Sequence, residues 1–233
     1  DENDPYVNRD LRLYASIFLP PLGSYSGTKY NDIIYDCFKG ANTADSYNKF
    51  TLFNGYCPKK GCDPSIINNL GSTPTYTPIM RYAEVLLSYL EALNESQPSA
   101  IDQNILDLTI NDIRNRVKLT DIKKADVPTQ ELVREAIRKE RRVELAFEGL
   151  RYYDVLRWEI AEKELNHTFT GVKLSDDPNA RNYRGSGTAA SPVDENMYYQ
   201  FEKRTWSSHN RYFPIPQNDL NVNKNLKQNT GYN

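Results

Sequence analysis

The sequence is poor in the residues that most enzymes and metalloproteins use in their sites. It contains two histidines, His167 and His209, and three cysteines. A structural zinc site takes about four such ligands, and a histidine-based active site has few residues to draw on. No nucleophile elbow, phosphate-binding loop, dinucleotide fingerprint or HExxH motif occurs in the chain. These shortages disfavour a metal centre and predict that the protein is not an enzyme.

The sequence also lacks a charge excess and a long apolar run. Its formal net charge is −2, although 26% of its residues are charged. The basic face that binds nucleic acids is therefore not expected. No apolar run approaches the roughly 20 residues that cross a bilayer as a helix. We expect no nucleic-acid partner, and we expect any membrane attachment to come from outside these residues.

The cysteines leave two pairings open. Cys57 and Cys62 flank a Pro-Lys-Lys-Gly turn and can form a short-loop disulfide in an oxidising compartment. Alternatively, Cys37 pairs with one of them. No cofactor is expected. The one cluster with the oxygen chemistry that calcium prefers is Asp176-Asp177-Pro178-Asn179, and a lone cluster of this kind is more often a turn.

Tyrosine, by contrast, is abundant, with 17 tyrosines against 8 phenylalanines and 2 tryptophans. A tyrosine combines an apolar ring with a polar tip. Such side chains suit a half-buried, wet surface. The composition is therefore typical both of a sugar-binding surface, where rings stack on sugars, and of a protein interface.

Two glutamates interrupt an apolar helix face near the middle of the chain. Val133, Ile137 and Phe147 recur at helical spacing, and Glu140 and Glu144 fall inside or beside their face. An unpaired buried carboxylate is very costly, so both need cations. A catalytic pair is disfavoured, because arginine neighbours lower carboxylate pKa values, which is wrong for a general acid. We predict an arginine–glutamate lattice that joins helices. Its predicted members are Arg81, Glu84, Arg114, Arg116, Glu140, Arg141, Glu144 and Arg151.

The chain divides into three parts. Residues 1–77 are rich in glycine and proline and predict loops, with short strands or buried turns at 33–35 and 50–53. Residues 78–165 predict four helices. Their predicted bounds are 78–94, 99–116 with Asp102 near the start, 129–149 with Thr129 as N-cap, and 150–165. Residues 166–233 predict loops and a small hairpin that pairs 170–174 with 197–201. The fold class is therefore mainly α, a helical body wrapped by long loops with a small β-hairpin.

Four segments between residues 78 and 232, in a fixed order, carry a family resemblance. Residues 81–94 contain RYAEVLL and EALN, and residues 110–116 read INDIRNR. Residues 140–158 read ERRVELAFEGLRYYDVLRW, and the chain closes with FPIP at 213–216 and QNTGY at 228–232. Together these segments resemble the RagB/SusD family, the surface glycan-binding lipoproteins of Bacteroidetes nutrient-uptake systems.

The resemblance implies a TPR-like α-α superhelix. It makes residues 1–77 the region of ligand loops, 78–165 a four-helix SusD-like core and 166–233 a closing segment, all within one C-terminal domain. Members of the family are longer, and they begin with a lipoprotein signal and an N-terminal half of paired helices. We therefore expect this chain to correspond to the C-terminal half. We expect it to pair with an N-terminal half of the same protein, which carries the lipid anchor.

The function that the resemblance implies is binding without catalysis. The protein is expected to bind an oligosaccharide on the extracellular face of the outer membrane and to hand it to a SusC-like TonB-dependent porin. In the family, aromatic residues from loops upstream of the RYAEVLL helix contact the ligand. The corresponding candidates are Tyr25, Tyr30, Tyr35, Tyr47, Tyr56, Asn31 and Arg12. The alternative is that this half is a scaffold for the transporter, and that a peptide or other nutrient is selected elsewhere.

Overall fold

The computed structural model shows a mainly α-helical protein with short strands, as the sequence predicted. It describes residues 6, 8–18, 28–30, 33–36, 45–46, 56–61, 78–173, 193–196 and 198–232. The helices are α1 (Leu11–Ser16), α2 (Tyr82–Ser96), α3 (Gln103–Leu106), α4 (Asp112–Arg116), α5 (Gln130–Glu144), α6 (Arg151–Arg157), α7 (Ala161–Leu165) and α8 (Gln217–Val222). The strands are β1 (Ile17–Phe18), β2 (Thr28–Tyr30), β3 (Ile33–Asp36), β4 (Asp45–Ser46), β5 (Cys57–Pro58), β6 (Thr168–Lys173) and β7 (Tyr198–Lys203).

The hydrophobic core is formed by α2 and α5, which run antiparallel, together with residues 101–127 between them. Gln130 at the start of α5 exchanges hydrogen bonds with Asn94 near the end of α2. Arg81, which precedes α2, instead reaches Glu144 at the end of α5. The buried apolar residues of the core are Leu86, Leu87, Leu90, Ile101, Leu106, Ile110, Ile113, Val127, Val133 and Ile137. This packing brings the last turns of α5 beside the first turn of α2.

The helix predicted over 99–116 is a composite. A 3₁₀ turn spans Pro98–Ala100, and Asp102 then caps α3 by accepting a hydrogen bond from the Ile105 N–H at 2.9 Å. Between α3 and α4 the chain forms a π-helical segment, Asp107–Asn111. There the Thr109 hydroxyl donates to the Ile105 carbonyl at 2.6 Å, a bond that competes with the regular helix ladder.

The third predicted helix ends before Gly149. Thr129 caps α5 as predicted, because its hydroxyl accepts a hydrogen bond from the Leu132 N–H at 3.3 Å. The helix stops at Glu144, since the Glu144 carbonyl accepts from Lys60 Nζ at 2.7 Å and from Arg81 Nη2 at 3.0 Å. Residues 145–149 form turns, and Gly149 has a φ of +78° before α6 begins.

The prediction of one continuous fourth helix over 150–165 is wrong. The helix is broken into α6 and α7, because Glu159 has a φ of +56° and the chain turns there. The Ile160 N–H bonds to the Val155 carbonyl at 3.2 Å across this turn. A positive φ at a residue other than glycine is uncommon, and no breaker residue marks the position in the sequence.

The predicted hairpin is confirmed. β6 and β7 pair antiparallel, from Thr168 opposite Lys203 to Lys173 opposite Tyr198, with two register shifts between them.

In the closing segment, side chains near the C-terminal end form hydrogen bonds with the backbone of the preceding residues. The Gln228 side chain bonds both the N–H and the carbonyl of Ile215, at 2.8 and 2.9 Å, and Asn229 donates to the Phe213 carbonyl at 2.7 Å.

Several predicted features lie outside the described residues. They are the strand at 50–53, the cysteines Cys37 and Cys62, the side chain of Cys57, and the cluster at 176–179. Within the described ranges, no group of three or more His, Cys, Asp or Glu side chains is placed to hold a metal ion. None of the described helices combines the length and apolar character needed to cross a membrane.

Candidate functional site

The lattice predicted from the sequence lies at the end of α5, where the N-terminal part of the chain meets the helical body. Glu140 and Glu144 are one turn apart on α5 and are only 3% and 2% exposed. Arg114 approaches Glu140 at 3.0 Å, and Arg116 approaches Glu144 at 2.8 Å. Both carboxylates are therefore buried with cations against them, which offsets the cost of removing their charges from water.

Arg12 of α1 completes this arrangement. Its guanidinium contacts Glu140 and lies 3.0 Å from Glu144. Asp10, the N-cap of α1, contacts the same guanidinium at 2.6 Å. Burial by itself would lower the pKa of Arg12, but hydrogen bonds to Asp10, Glu140 and Glu144 outweigh it and raise the pKa above its ordinary value. Arg12 therefore stays charged and joins the N-terminal segment to α5.

A second contact to the N-terminal segment runs through Glu148. Arg81 binds this carboxylate with Nε at 2.9 Å and Nη2 at 2.6 Å, and Lys60 approaches it at 2.6 Å. Burial would raise the pKa of Glu148, but the hydrogen bonds from Arg81 and Lys60 outweigh it and lower the pKa. Glu148 is thus held as an anion by Lys60 of the N-terminal segment and by Arg81, the residue before α2.

These contacts fix both ends of the segment that carries most of the predicted ligand residues. β1 and β5 pair antiparallel, with Ile17 opposite Pro58 and Phe18 opposite Cys57. The Ser16 carbonyl accepts hydrogen bonds from the N–H groups of residues 59 and 60, at 2.8 and 3.1 Å. Arg12 precedes β1 and Lys60 follows β5, so the lattice holds this strand pair against the helical body. We call the strand pair with Arg12 and Lys60 the loop base.

The remaining predicted lattice residues divide among separate contacts. Arg141 is buried and binds Asp154 through Nε and Nη2, both at 3.1 Å. Arg151 binds Glu164 at 2.6 Å. Glu84 makes no ion pair with any residue that the structure describes. Seven of the eight predicted residues therefore form ion pairs, in more than one cluster.

Sequence reasoning missed several members of these clusters. Lys60 and Asp10 lie in the loop-rich part, where no periodic pattern marks them. Glu91 on α2 contacts Arg157 and accepts a hydrogen bond from the Trp158 indole N–H at 2.6 Å. Burial would raise the pKa of Glu91, but hydrogen bonds from Arg157 and Trp158 outweigh it and lower the pKa. The sequence did carry a signal for Glu91, namely its place in the EALN motif. A glutamate one helical turn after a leucine of the core needs a partner for its charge.

The candidate ligand residues are placed as follows. Tyr25, Asn31 and Tyr47 lie outside the described residues, and Tyr30 and Tyr35 lie on the paired strands β2 and β3, with side chains outside the described part. Tyr56 immediately precedes β5 of the loop base. Its ring packs edge-on against Tyr6 with centroids 6.3 Å apart, and the two hydroxyls are 3.1 Å apart. Arg12 is 6% exposed within the lattice. Its observed contacts anchor the N-terminal segment to α5.

Comparisons with known proteins agree with this architecture. A family model described as the SusD family matches residues 1–232. A solved SusD-like carbohydrate binding protein from Bacteroides fragilis superposes with a TM-score of 0.77 at 32% identity, over 97% of this chain and 43% of its own. A second SusD-like protein from Bacteroides fragilis gives a TM-score of 0.66 at 27% identity, over 97% of this chain and 40% of its own.

A curated relative is similar over a shorter stretch. SusD-like protein P2 from Formosa agariphila is 34% identical over 117 residues, which are 48% of this chain and 22% of that protein. The chain thus spans less than half the length of the relatives that it matches.

Proposed function

Because the chain belongs to the SusD family, we propose that it takes part in binding an oligosaccharide without changing it chemically. The observation that carries the proposal is the shared fold with a SusD-like carbohydrate binding protein at 32% identity. Tyrosine-rich loops suit this ligand, because rings stack on the apolar faces of pyranoses and polar side chains bond the hydroxyls.

The loop base supports a pre-formed binding surface. Tyr25, Tyr30, Tyr35 and Tyr47 all lie in sequence between β1 and β5, whose pairing is held to α5 by Arg12 and Lys60. A loop with fixed ends loses less conformational freedom on binding than one with free ends. We propose these four tyrosines, with Tyr56 and Asn31, as ligand contacts, and Arg12 as the anchor that positions them.

The charged clusters support binding rather than hydrolysis. A glycosidase needs a general acid whose pKa is raised. The shifts at Glu148 and Glu91 run the other way, because hydrogen bonds from their cationic partners outweigh burial and lower both pKa values. Glu140 and Glu144 lie on one helix face and are shared among arginines, which is the arrangement of a structural lattice.

The proposed setting is the extracellular face of the outer membrane, with a SusC-like TonB-dependent porin as the partner that receives the glycan. Membership of the SusD family supports both statements. The predicted division into ligand loops at 1–77, a helical core at 78–165 and a closing segment at 166–233 is part of the same proposal.

Replacement of Tyr25, Tyr30, Tyr35 and Tyr47 by alanine tests the binding proposal. We expect affinity for the best ligand of a glycan array to fall at least about tenfold by calorimetry. Tyr212→Ala is the control, because this tyrosine is exposed in the closing segment and lies outside the ligand loops. Unchanged affinity in the quadruple variant would favour the scaffold function, and release of reducing sugar by the wild type would overturn non-catalytic binding.

A further inference from the structure

The indole ring of Trp158 is surrounded by arginines. The guanidinium carbon of Arg157 lies 4.8 Å from the ring centroid. The corresponding distances are 4.9 Å for Arg138 and 5.9 Å for Arg151. Cations within about 6 Å of a ring centroid are attracted to the face of the ring. The three side chains come from α5 and α6 and therefore converge on one half-buried tryptophan.

Two of these arginines have carboxylate partners. Arg157 binds both oxygens of Glu91, and the indole N–H of Trp158 donates to the same carboxylate at 2.6 Å. Arg151 binds Glu164, also at 2.6 Å. The protein itself therefore supplies a counter-charge for each of these two guanidiniums.

Arg138 differs, because it forms no ion pair with any residue that the structure describes. Its Nε atom is buried and has no hydrogen-bond partner within the same described ranges. The carboxylates that attract it, Glu91 and Glu95, already bind other arginines through both of their oxygens. A half-buried guanidinium whose donors lack acceptors is costly, so a partner for Arg138 would be stabilising.

The surroundings of Trp158 carry an excess of positive charge. Burial and then repulsion by Arg134 lower the pKa of Arg138, and attraction by the nearby carboxylates does not offset them. Burial and then repulsion by Arg142 likewise lower the pKa of Arg151. An anion placed among these side chains would relieve the repulsion between them.

The chemistry of a guanidinium indicates which anion fits. Its N–H donors lie in one plane and can bond two oxygens of a carboxylate or a sulfate group at once. The same surface shows this geometry twice. Arg134 binds both oxygens of Glu95, each at 2.7 Å, and Arg157 binds both oxygens of its own partner. An oxyanion at Arg138 would repeat the pattern of its neighbours.

We propose that Arg138, held against Trp158, is a subsite on the helical body for the carboxylate or sulfate group of an acidic saccharide. The oxyanion follows from the unpaired guanidinium, whereas the saccharide rests on the function proposed above. The residues of the subsite come from α5 and α6 rather than from the segment between β1 and β5. The subsite therefore adds a preference for acidic sugars to the ring stacking proposed for the tyrosines.

Side-chain NMR signals of the 233-residue chain give a direct test. The acidic probes are methyl glucuronide and glucose 6-sulfate, and methyl glucoside is their neutral counterpart. We expect both acidic probes to shift the Arg138 Nε–H signal and the Trp158 indole N–H signal. The neutral probe should leave both signals in place, because it brings no oxyanion to the guanidinium.

Variants of the arginine give a second, independent test. Arg138→Gln removes the charge and the paired donors, so affinity for the acidic probes should fall at least about tenfold. Arg138→Lys should recover only part of the affinity, because an ammonium group keeps the charge but lacks the planar fork. The matched control is Lys139→Gln, which removes one positive charge from the next, exposed position of α5 and should leave affinity unchanged. Thermal unfolding establishes that each variant is folded.

The possible results separate this subsite from the proposed function. Binding of a neutral array glycan, with no effect of the acidic probes on the Arg138 signal, would overturn the subsite alone. Equal losses in Arg138→Gln and Lys139→Gln would overturn it in favour of general charge attraction. Sodium sulfate that shifts the signals as strongly as glucose 6-sulfate would reduce it to an adventitious ion only. Failure of every glycan to bind, neutral or acidic, would overturn the proposed function as well.

Discussion

At the scale of single residues, the most consequential feature is a buried carboxylate shared by several cations. Glu144 is 2% exposed and pairs with Arg12, Arg81 and Arg116. These cations come from the N-terminal segment, from the residue before α2 and from α4. One carboxylate therefore joins the N-terminal segment, which the hydrophobic core does not include, to the start of α2 and to α4.

Replacing this carboxylate by an amide should be strongly destabilising. In Glu144→Gln, Arg12 keeps Asp10 and Glu140 but loses a buried counter-charge, and breaking a buried pair by removing one partner costs about 3–5 kcal/mol. We expect a loss of this size in urea unfolding. The control Glu131→Gln removes an exposed carboxylate 3.7 Å from Arg134 and should change stability by less than about 1 kcal/mol. Equal effects in both variants would contradict the lattice.

Stability should fall in acid because of the same clusters. The pKa values of Glu148 and Glu91 are lowered from 4.5, since hydrogen bonds from cationic partners outweigh burial. A carboxylate with a lowered folded-state pKa contributes stability that is fully present above pH 4.5. That contribution is lost as the pH falls through the lower folded value. Thermal unfolding between pH 3 and 6 measures this, and the Glu148→Gln variant should lose less stability over the acid range than the wild type.

At the scale of elements, the ends of helices are set by different kinds of contact. Thr129 begins α5 through a local hydrogen bond, and Asp102 begins α3 in the same way. The end of α5 is set by long-range contacts, because Lys60 and Arg81 donate hydrogen bonds to the Glu144 carbonyl. Local sequence therefore predicts where these helices begin better than where they end.

The cap of α5 provides a prediction at this scale. Thr129→Ala removes the acceptor for the Leu132 N–H and should destabilise the protein by about 0.5–2 kcal/mol. Thr129→Ser keeps the hydroxyl and should recover most of the loss. Denaturant unfolding of the three proteins is the measurement, and a serine variant as unstable as the alanine variant would show that the threonine methyl group matters instead.

Two glycines with positive φ should respond differently to alanine. At Gly149, with a φ of +78°, an added Cβ meets nothing within 4 Å, so only the left-handed backbone is penalised, at about 1–2 kcal/mol. At Gly231, with a φ of +94°, the Cβ would lie 2.5 Å from His209 Cβ. Gly231→Ala should therefore cost more and disturb the ring contact of His209 with Tyr232, whose centroids lie 5.0 Å apart. Thermal unfolding and the NMR signals of His209 test both variants.

At the scale of the whole molecule, the lattice connects a tyrosine-bearing segment to a helical body. The contact between Arg12 and Glu140 joins residues 128 positions apart in the sequence, and Lys60 adds a second link to Glu148. The α2–α5 core does not depend on either contact, because its residues lie between Leu86 and Ile137. We therefore expect the body and the loop base to be separable in stability.

Removing Arg12 should show this separation. In Arg12→Ala, amide exchange at β1 and β5 should become much faster, while exchange in α2 should change less, since its core contacts remain. Glycan affinity should fall with the loosened base, although Arg12 is buried. Hydrogen exchange followed by mass spectrometry is the measurement. Equal acceleration in α2 and in the strands would mean that the anchor and the body unfold as one unit.

The sequence by itself determined the helical body and the need for a charge lattice. Hydrophobic spacing and cap residues act over a few positions, so α2, the start of α5 and the β6–β7 hairpin followed from local patterns. Glu140 and Glu144 on an apolar face required cations wherever those lay, because a buried charge cannot remain unpaired. The sequence motifs also predicted the family that the comparisons showed.

Only the tertiary structure decided which cations bind and where the helices stop. The pairing of Arg12 and Lys60 with the end of α5 depends on packing between distant segments, and no local pattern encodes it. The break between α6 and α7 at Glu159 and the absence of a described ion pair at Glu84 have the same origin. Side-chain chemistry specifies that a charge needs a partner, whereas the geometry of the folded chain determines which residue can reach it.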